Sequence, residues 1–166
     1  TGKSSIPAAV GGFSINSLYK NFDLSALFNF SFGSYVYDGV YASLMNGFET
    51  AARQGHTDLK KRWRKPGDIT DIPLFMNGQN DFNSESTRFL FKNDYIRLRG
   101  LNIGYNFNQD WIDKLNLKKL RIFFQGDNIF TYQSHKGIDP EQALSGQTDN
   151  RSHQMKTYAL GVNIQL

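Results

Sequence analysis

No cysteine occurs among the 166 residues. That excludes a disulfide framework, a thiolate metal site and a thiol nucleophile. Long apolar runs are missing too. The longest uncharged stretch, residues 4–19, is broken by Pro7 and the Gly11-Gly12 pair, so it cannot be a membrane-spanning helix. Residues 1–10 have neither a basic n-region nor an apolar h-region, so they do not read as a signal peptide. Charge of one sign is scarce. A net charge of +4 is too small to argue for a polyanion partner. The last residues, YALGVNIQL, stop inside an apolar pattern, and the chain is expected to be a piece of something larger.

What is present is ordinary in amount and unusual in arrangement. Hydrophobic residues make 39% of the chain, enough for ordered structure, and aromatics alone make 14%. Their period is two. Over residues 22–32, Phe22, Leu24, Ala26, Phe28, Phe30 and Phe32 alternate with Asp23, Ser25, Leu27, Asn29 and Ser31. Leu101, Ile103, Tyr105 and Phe107 oppose Asn102, Gly104, Asn106 and Asn108. At the end Tyr158, Leu160, Val162, Ile164 and Leu166 oppose Ala159, Gly161, Asn163 and Gln165. A weaker alternation covers residues 13–19. Another covers 120–132 and breaks after Phe123-Phe124, as at a bulge. The pattern predicts strands at about 10–19, 22–33, 94–108, 119–132 and 156–166, near the length that crosses a bilayer.

The connections alternate in length. Lys20-Asn21 is a tight turn and 109–119 a moderate one, whereas 34–92 and 133–153 are long and polar. A loop of 59 residues, as over 34–92, argues against a compact soluble domain. It suits an outer-membrane barrel with short periplasmic turns and long extracellular loops. Small polar residues on one face suit a wet lumen. Aromatics near strand ends (Tyr19, Phe22, Tyr95, Tyr105, Phe107, Tyr132, Tyr158) suit interface girdles. The expected fold is therefore all-β, part of a transmembrane antiparallel β-barrel. Its lipid-facing residues are Phe22, Leu24, Phe28, Phe30, Leu101, Ile103, Leu160, Val162 and Ile164. Short helices are expected in the long loop at 40–52, with Val40, Leu44 and Phe48 on one face, and at 58–64, capped by Thr57 and packed through Leu59 and Trp63. A soluble β-sandwich adhesin or lectin is an alternative, weakened because no second layer is in sight to bury five apolar strand faces.

Candidate chemistry is sparse. Lys60, Lys61, Arg62, Arg64 and Lys65 surround Trp63, but the run ends at Pro66-Gly67 and no second basic segment supports nucleic-acid binding. His56, His135 and His153 lie far apart in loops without metal-ligand spacing, so no metal is expected and they read as solvated loop histidines. Asp68/Asp71 and Asp139/Glu141 sit among Gly and Pro and read first as turn formers. No G-x-S-x-G, phosphate-binding glycine loop or Cys/His pairing occurs, which leaves no catalytic residue, no cofactor and no enzyme to predict. Tyr35, Tyr37 and Tyr41 are the weak substrate-contact candidates, against a reading as loop packing.

Several stretches together resemble the C-terminal part of the SusC/RagA family of TonB-dependent outer-membrane transporters. They are GGF (11–13), YKNFDLS (19–25), RWRKPGDITDIP (62–73), NDYIRLRGLNIGYNF (93–107), LRIFFQGDNIFTY (120–132) and GIDPE (137–141), in matching order and spacing. The resemblance implies the last five strands of a plugged barrel of about 22 strands in the outer membrane of a Gram-negative bacterium. The plug and the remaining strands lie outside this sequence. It also implies import of oligosaccharides or peptides, driven through TonB by way of the absent N-terminal part. The partner it implies is a SusD-like surface lipoprotein closing over the mouth. Arg62, Trp63 and Arg64 are then candidates for contact with that lipoprotein or with lipopolysaccharide. A related barrel that scaffolds or assembles the envelope is the alternative within the family. One departure is Leu166, where such barrels usually end in an aromatic residue.

Overall fold

In the computed structural model the described residues are 1–46, 55–74, 84–114, 116–141, 145–148 and 152–166. Five long strands form one antiparallel sheet: β1 (Ala9–Tyr19), β2 (Phe22–Phe32), β5 (Tyr95–Asn106), β6 (Lys119–Gln133) and β7 (Thr157–Gln165), side by side in that order. Two short strands, β3 (Tyr35–Tyr37) and β4 (Leu90–Lys92), pair separately within the long connection between β2 and β5. Lys20 takes a φ of 53° in the Lys20-Asn21 turn, the left-handed geometry that lets a two-residue hairpin follow the strand twist.

Register carries the alternation across the whole sheet. Phe13 faces Phe28, Leu24 faces Ile103, Ile103 faces Phe124, and Phe124 faces Leu160. The opposite face runs Asn16, Ser25, Asn102, Gln125 and Ala159 by the same ladder. The registers shift around Arg99, which has no partner in either flanking strand. The bulge restores phase between Ile96/Leu98 and Leu101/Ile103, keeping all four on the apolar face. A bulge is thus present, but not at Phe123-Phe124. There the alternation continues, with Phe123 on the polar face beneath the Arg121 guanidinium at 5.0 Å. Gly161 opposite it leaves room that any Cβ would take from the Phe123 ring.

The apolar face stays uncovered among the described residues. Phe22, Ile122, Leu160, Val162 and Ile164 are exposed, Leu160 at 81%. The buried apolar cluster lies instead in the long connection, where Ala42, Met45, Leu59, Ile72 and Phe89 pack together with Tyr37 and Tyr41 against them. No helix among the described residues is long and apolar enough to cross a membrane, which says nothing of strands.

The helices differ from expectation. α1 (Gly39–Met45) begins at an Asp38 N-cap whose carboxylate accepts from the Tyr41 amide at 2.8 Å. The remainder of the helix expected over 40–52, Phe48 included, falls mostly outside the described residues. The second expected helix is a 3-10 turn, Thr57–Lys61, capped by His56 rather than by Thr57. It stops at Arg62 because the chain turns extended there, and the Trp63 amide pairs with the Ile72 carbonyl. A helix α2 (Gln109–Lys114) sits in the shorter connection between β5 and β6.

Candidate functional site

The polar face of the sheet carries two ionic clusters, one near each end of the strands. At the short-turn end the Arg121 guanidinium forks onto Asp23, at 3.0 Å to Oδ1 and 2.5 Å to Oδ2, and also donates to Asn102 Oδ1 at 2.7 Å. Asn106 adds a 2.8 Å bond to the same carboxylate. Gly104 makes this possible, since a Cβ there would collide with the guanidinium.

The cluster at the long-loop end is deeper. Arg97, only 3% exposed, donates to Asp139 at 2.8 Å, to Glu141 at 3.0 Å and to Thr131 at 3.1 Å. Arg99 reaches Glu141 at 3.0 Å and Gln154 at 2.6 Å. Gln154 answers with its amide N–H on Asp139 Oδ2, 2.9 Å, and its side chain on Glu141, 2.8 Å. Burial alone would raise the Asp139 carboxyl. The bonds from the Gln154 and Glu141 amides and from Arg97 outweigh it and hold the group below its usual range. Beside the cluster opens a cleft of about 460 Å³, lined among others by Asn29, Ser31, Tyr35, Tyr95, Arg99 and Gln154.

Asp38 joins the two long loops. Its carboxylate, buried just after β3, accepts from the Tyr41 amide and from Thr148 Oγ1 at 3.3 Å, and lies 2.8 Å from His135 Nε2. Desolvation pushes its pKa up, but the partners, His135 first, bring it below the ordinary value. His135 also stacks on Phe91 with ring centres 3.9 Å apart. His135 is therefore a packed, bonded residue and not a solvated one, because Phe91 and Asp38 enclose it. His56 lies half-buried against Tyr41, and His153 is exposed. Among the described residues no three His, Cys, Asp or Glu groups gather as metal ligands.

The residues singled out from sequence are dispersed. Tyr35 lines the cleft beside the Arg97 cluster, with Lys3 Nζ 4.6 Å from its ring centre. Tyr37 and Tyr41 pack edge-on against Phe89 in the loop core. Burial and a 3.1 Å hydrogen bond to Asp58 push the Tyr41 hydroxyl up to about 12. Arg62 donates to the Leu59 carbonyl at 3.3 Å, Trp63 is half-buried, and Arg64 is exposed, with a 3.1 Å bond to the Lys60 carbonyl. Asp68 caps the turn after Trp63, accepting from the Arg64 and Lys65 amides at 3.0 and 3.1 Å. Asp139 and Glu141 share a turn bond of the same kind, 3.0 Å, yet their larger part is to hold Arg97. Arg97 itself escaped sequence reasoning. The available signal was a cation on a strand's polar face paired in number with the acids of GIDPE. Neither cluster sets a nucleophile beside a base; both pair charges and amides on the polar face of the sheet.

Comparison with known proteins gives consistent relatives. The chain is 31% identical over 139 residues to TonB-dependent receptor P39 of Formosa agariphila, covering 82% of this chain and 13% of that protein. It is 26% identical over 153 residues to TonB-dependent receptor SusC of Bacteroides thetaiotaomicron, covering 89% and 14%. Among solved structures, the RagAB peptide transporter superposes on all of this chain and 18% of its own, with a TM-score of 0.82 at 24% identity. No family model matches. The chain thus spans only a small part of the proteins it resembles.

Proposed function

We propose, from the premise that the chain is SusC/RagA-like over nearly its whole length, that it forms the last five strands of a large outer-membrane barrel importing oligosaccharides or peptides. The observation carrying this reading is the sheet itself, one face continuously apolar and uncovered, the other polar and bearing the ionic clusters. Uncovered apolar area on that scale belongs against lipid. In this reading Phe22, Leu24, Phe28, Phe30, Leu101, Ile103, Leu160, Val162 and Ile164 meet hydrocarbon, and Asn29, Arg97, Asn102 and Arg121 line the lumen. The loops lie outside the cell, where a SusD-like lipoprotein docks on the mouth, and TonB acts through a plug beyond this chain. The protein binds and passes its solute without reaction chemistry, as the names of its relatives suggest.

The test uses the full-length parent, together with any SusD-like lipoprotein encoded beside it. Labelled peptides and oligosaccharides should enter cells making both proteins and stay outside when the TonB system is deleted. Uptake unchanged by that deletion refutes TonB-dependent import and leaves a scaffold or passive pore.

A further inference from the structure

The second long loop does not stand up from the rim. It leaves β6 at Gln133 and rejoins the sheet at β7, its direct neighbour, yet its described residues lie over strands on the other side. Asn93, just before β5, donates to the Pro140 carbonyl at 2.9 Å. Arg97 and Arg99 of β5 hold Asp139 and Glu141. Further along, the loop meets the paired strands β3 and β4. The Tyr37 amide donates to the Gly146 carbonyl at 2.7 Å and the Thr148 amide to the Tyr37 carbonyl at 3.0 Å. Its described residues form a strap that touches the β3–β4 pair at His135, crosses the polar face of β5 at Asp139 and Glu141, and meets the β3–β4 pair again at Gly146 and Thr148. The cleft of about 460 Å³ lies between this strap and the wall of the sheet.

We propose that the strap is a fixed constriction on the luminal wall just inside the mouth, and that Arg97 is the residue that positions it. This rests on the reading of the polar face as luminal. Two features make the constriction fixed. Arg97 and Asp139 are both almost fully buried, so separating them strands a charge without a partner. Asp38 holds the loop independently on both sides of that lock, through His135 before Asp139 and Thr148 after Glu141. Charge is also balanced within the lock. Arg97 and Arg99 meet Asp139 and Glu141, so the charges of these four groups are paired with one another where the strap crosses β5. Such a constriction selects by width.

The experiment places a cysteine behind the strap, Asn29→Cys, in the cysteine-free segment of the full-length parent in native outer membranes. Small hydrophilic maleimide and a bulky polymer-linked maleimide are compared, and heat-modifiable gel mobility confirms that the barrel has folded. The small reagent should react and the bulky one lag. Adding Arg97→Gln should raise the bulky rate several-fold with the small rate unchanged, and Arg97→Lys should restore part of the lag. Asp139→Asn, which keeps the side-chain shape, should act in the same direction and carries the test where Arg97→Gln does not fold. An unchanged ratio of bulky to small rates in folded variants overturns the constriction while leaving the lumen assignment intact. A cysteine at Asn29 that reacts only with a lipid-soluble maleimide overturns both, because the polar face then does not meet water.

Discussion

At the scale of single residues, the alternation of side chains could be read directly, because a strand puts successive residues on opposite faces whatever else the fold does. Phe28 and Asn29 are neighbours in sequence and face opposite sides, Phe28 stacked on Phe13 with ring centres 4.9 Å apart and Asn29 in the cleft under the strap. Arg at position 28 should therefore cost about 2–4 kcal/mol in a refolding titration of the parent barrel into lipid, and Arg at 29 much less. Equal penalties for the two would reverse the proposed orientation. Arg97 and His135 were not legible in the same way. Their partners lie 42 and 97 residues away, and no local spacing announces a contact of that range. Asp38 and Asp139 have depressed pKa values in the folded chain, so the stability they confer is full above the unfolded carboxylate value of about 3.9 and is lost as pH falls through the lower folded values. Protease cuts in the two loops of intact parent should thus stay slow at neutral and mildly acidic pH and accelerate only in strong acid. The same acceleration beginning well above the carboxylate range would show that Asp38 and Asp139 do not hold the loops.

At the scale of elements, the five long strands were visible because each is long enough for its period to repeat. The three-residue strands β3 and β4 were not, since their pairing depends on a partner more than fifty residues distant and not on any pattern of their own. The 3-10 turn at Thr57–Lys61 likewise reflects tertiary demand. Leu59 is buried in the loop core, and the backbone is then drawn to Ile72, which overrides the helical propensity of the Lys-Arg run. The loop core gives the long connection a structure of its own. In the proposed orientation it stands outside the cell, opposite the Lys20-Asn21 turn. Cysteine at Ile69, which is fully exposed, should label in intact cells with an impermeant maleimide, whereas cysteine at Lys20 should label only after the outer membrane is opened. The reverse pattern would invert inside and outside.

At the scale of the whole molecule, the sheet ends in two unpaired edges, β1 and β7, which lipid cannot satisfy. The segment therefore requires the remaining strands of its parent to span a membrane, and its partner surface has to be judged on that parent. In the proposed assembly the surface left for a docked lid is the outer side of the loop core and not the polar cleft, which the strap covers. There Arg64 and Lys65 are exposed, their backbone amides are tied to Asp68, and the Arg64 side chain adds only one surface bond, to the Lys60 carbonyl at 3.1 Å. Their side chains can thus be removed without loosening the Asp68 turn or the Leu59–Phe89 packing beneath. Arg is favoured at protein interfaces for its planar, multiply donating head. Replacing both with Ser in the parent should lower the amount of lipoprotein that co-purifies in mild detergent several-fold, with the barrel still folded by heat-modifiable mobility. Undiminished recovery of the lipoprotein would move the docking surface away from residues 62–65. Recovery of a folded wild-type parent with no lipoprotein at all, from cells expressing the neighbouring gene, would instead mean that this barrel works without a lid.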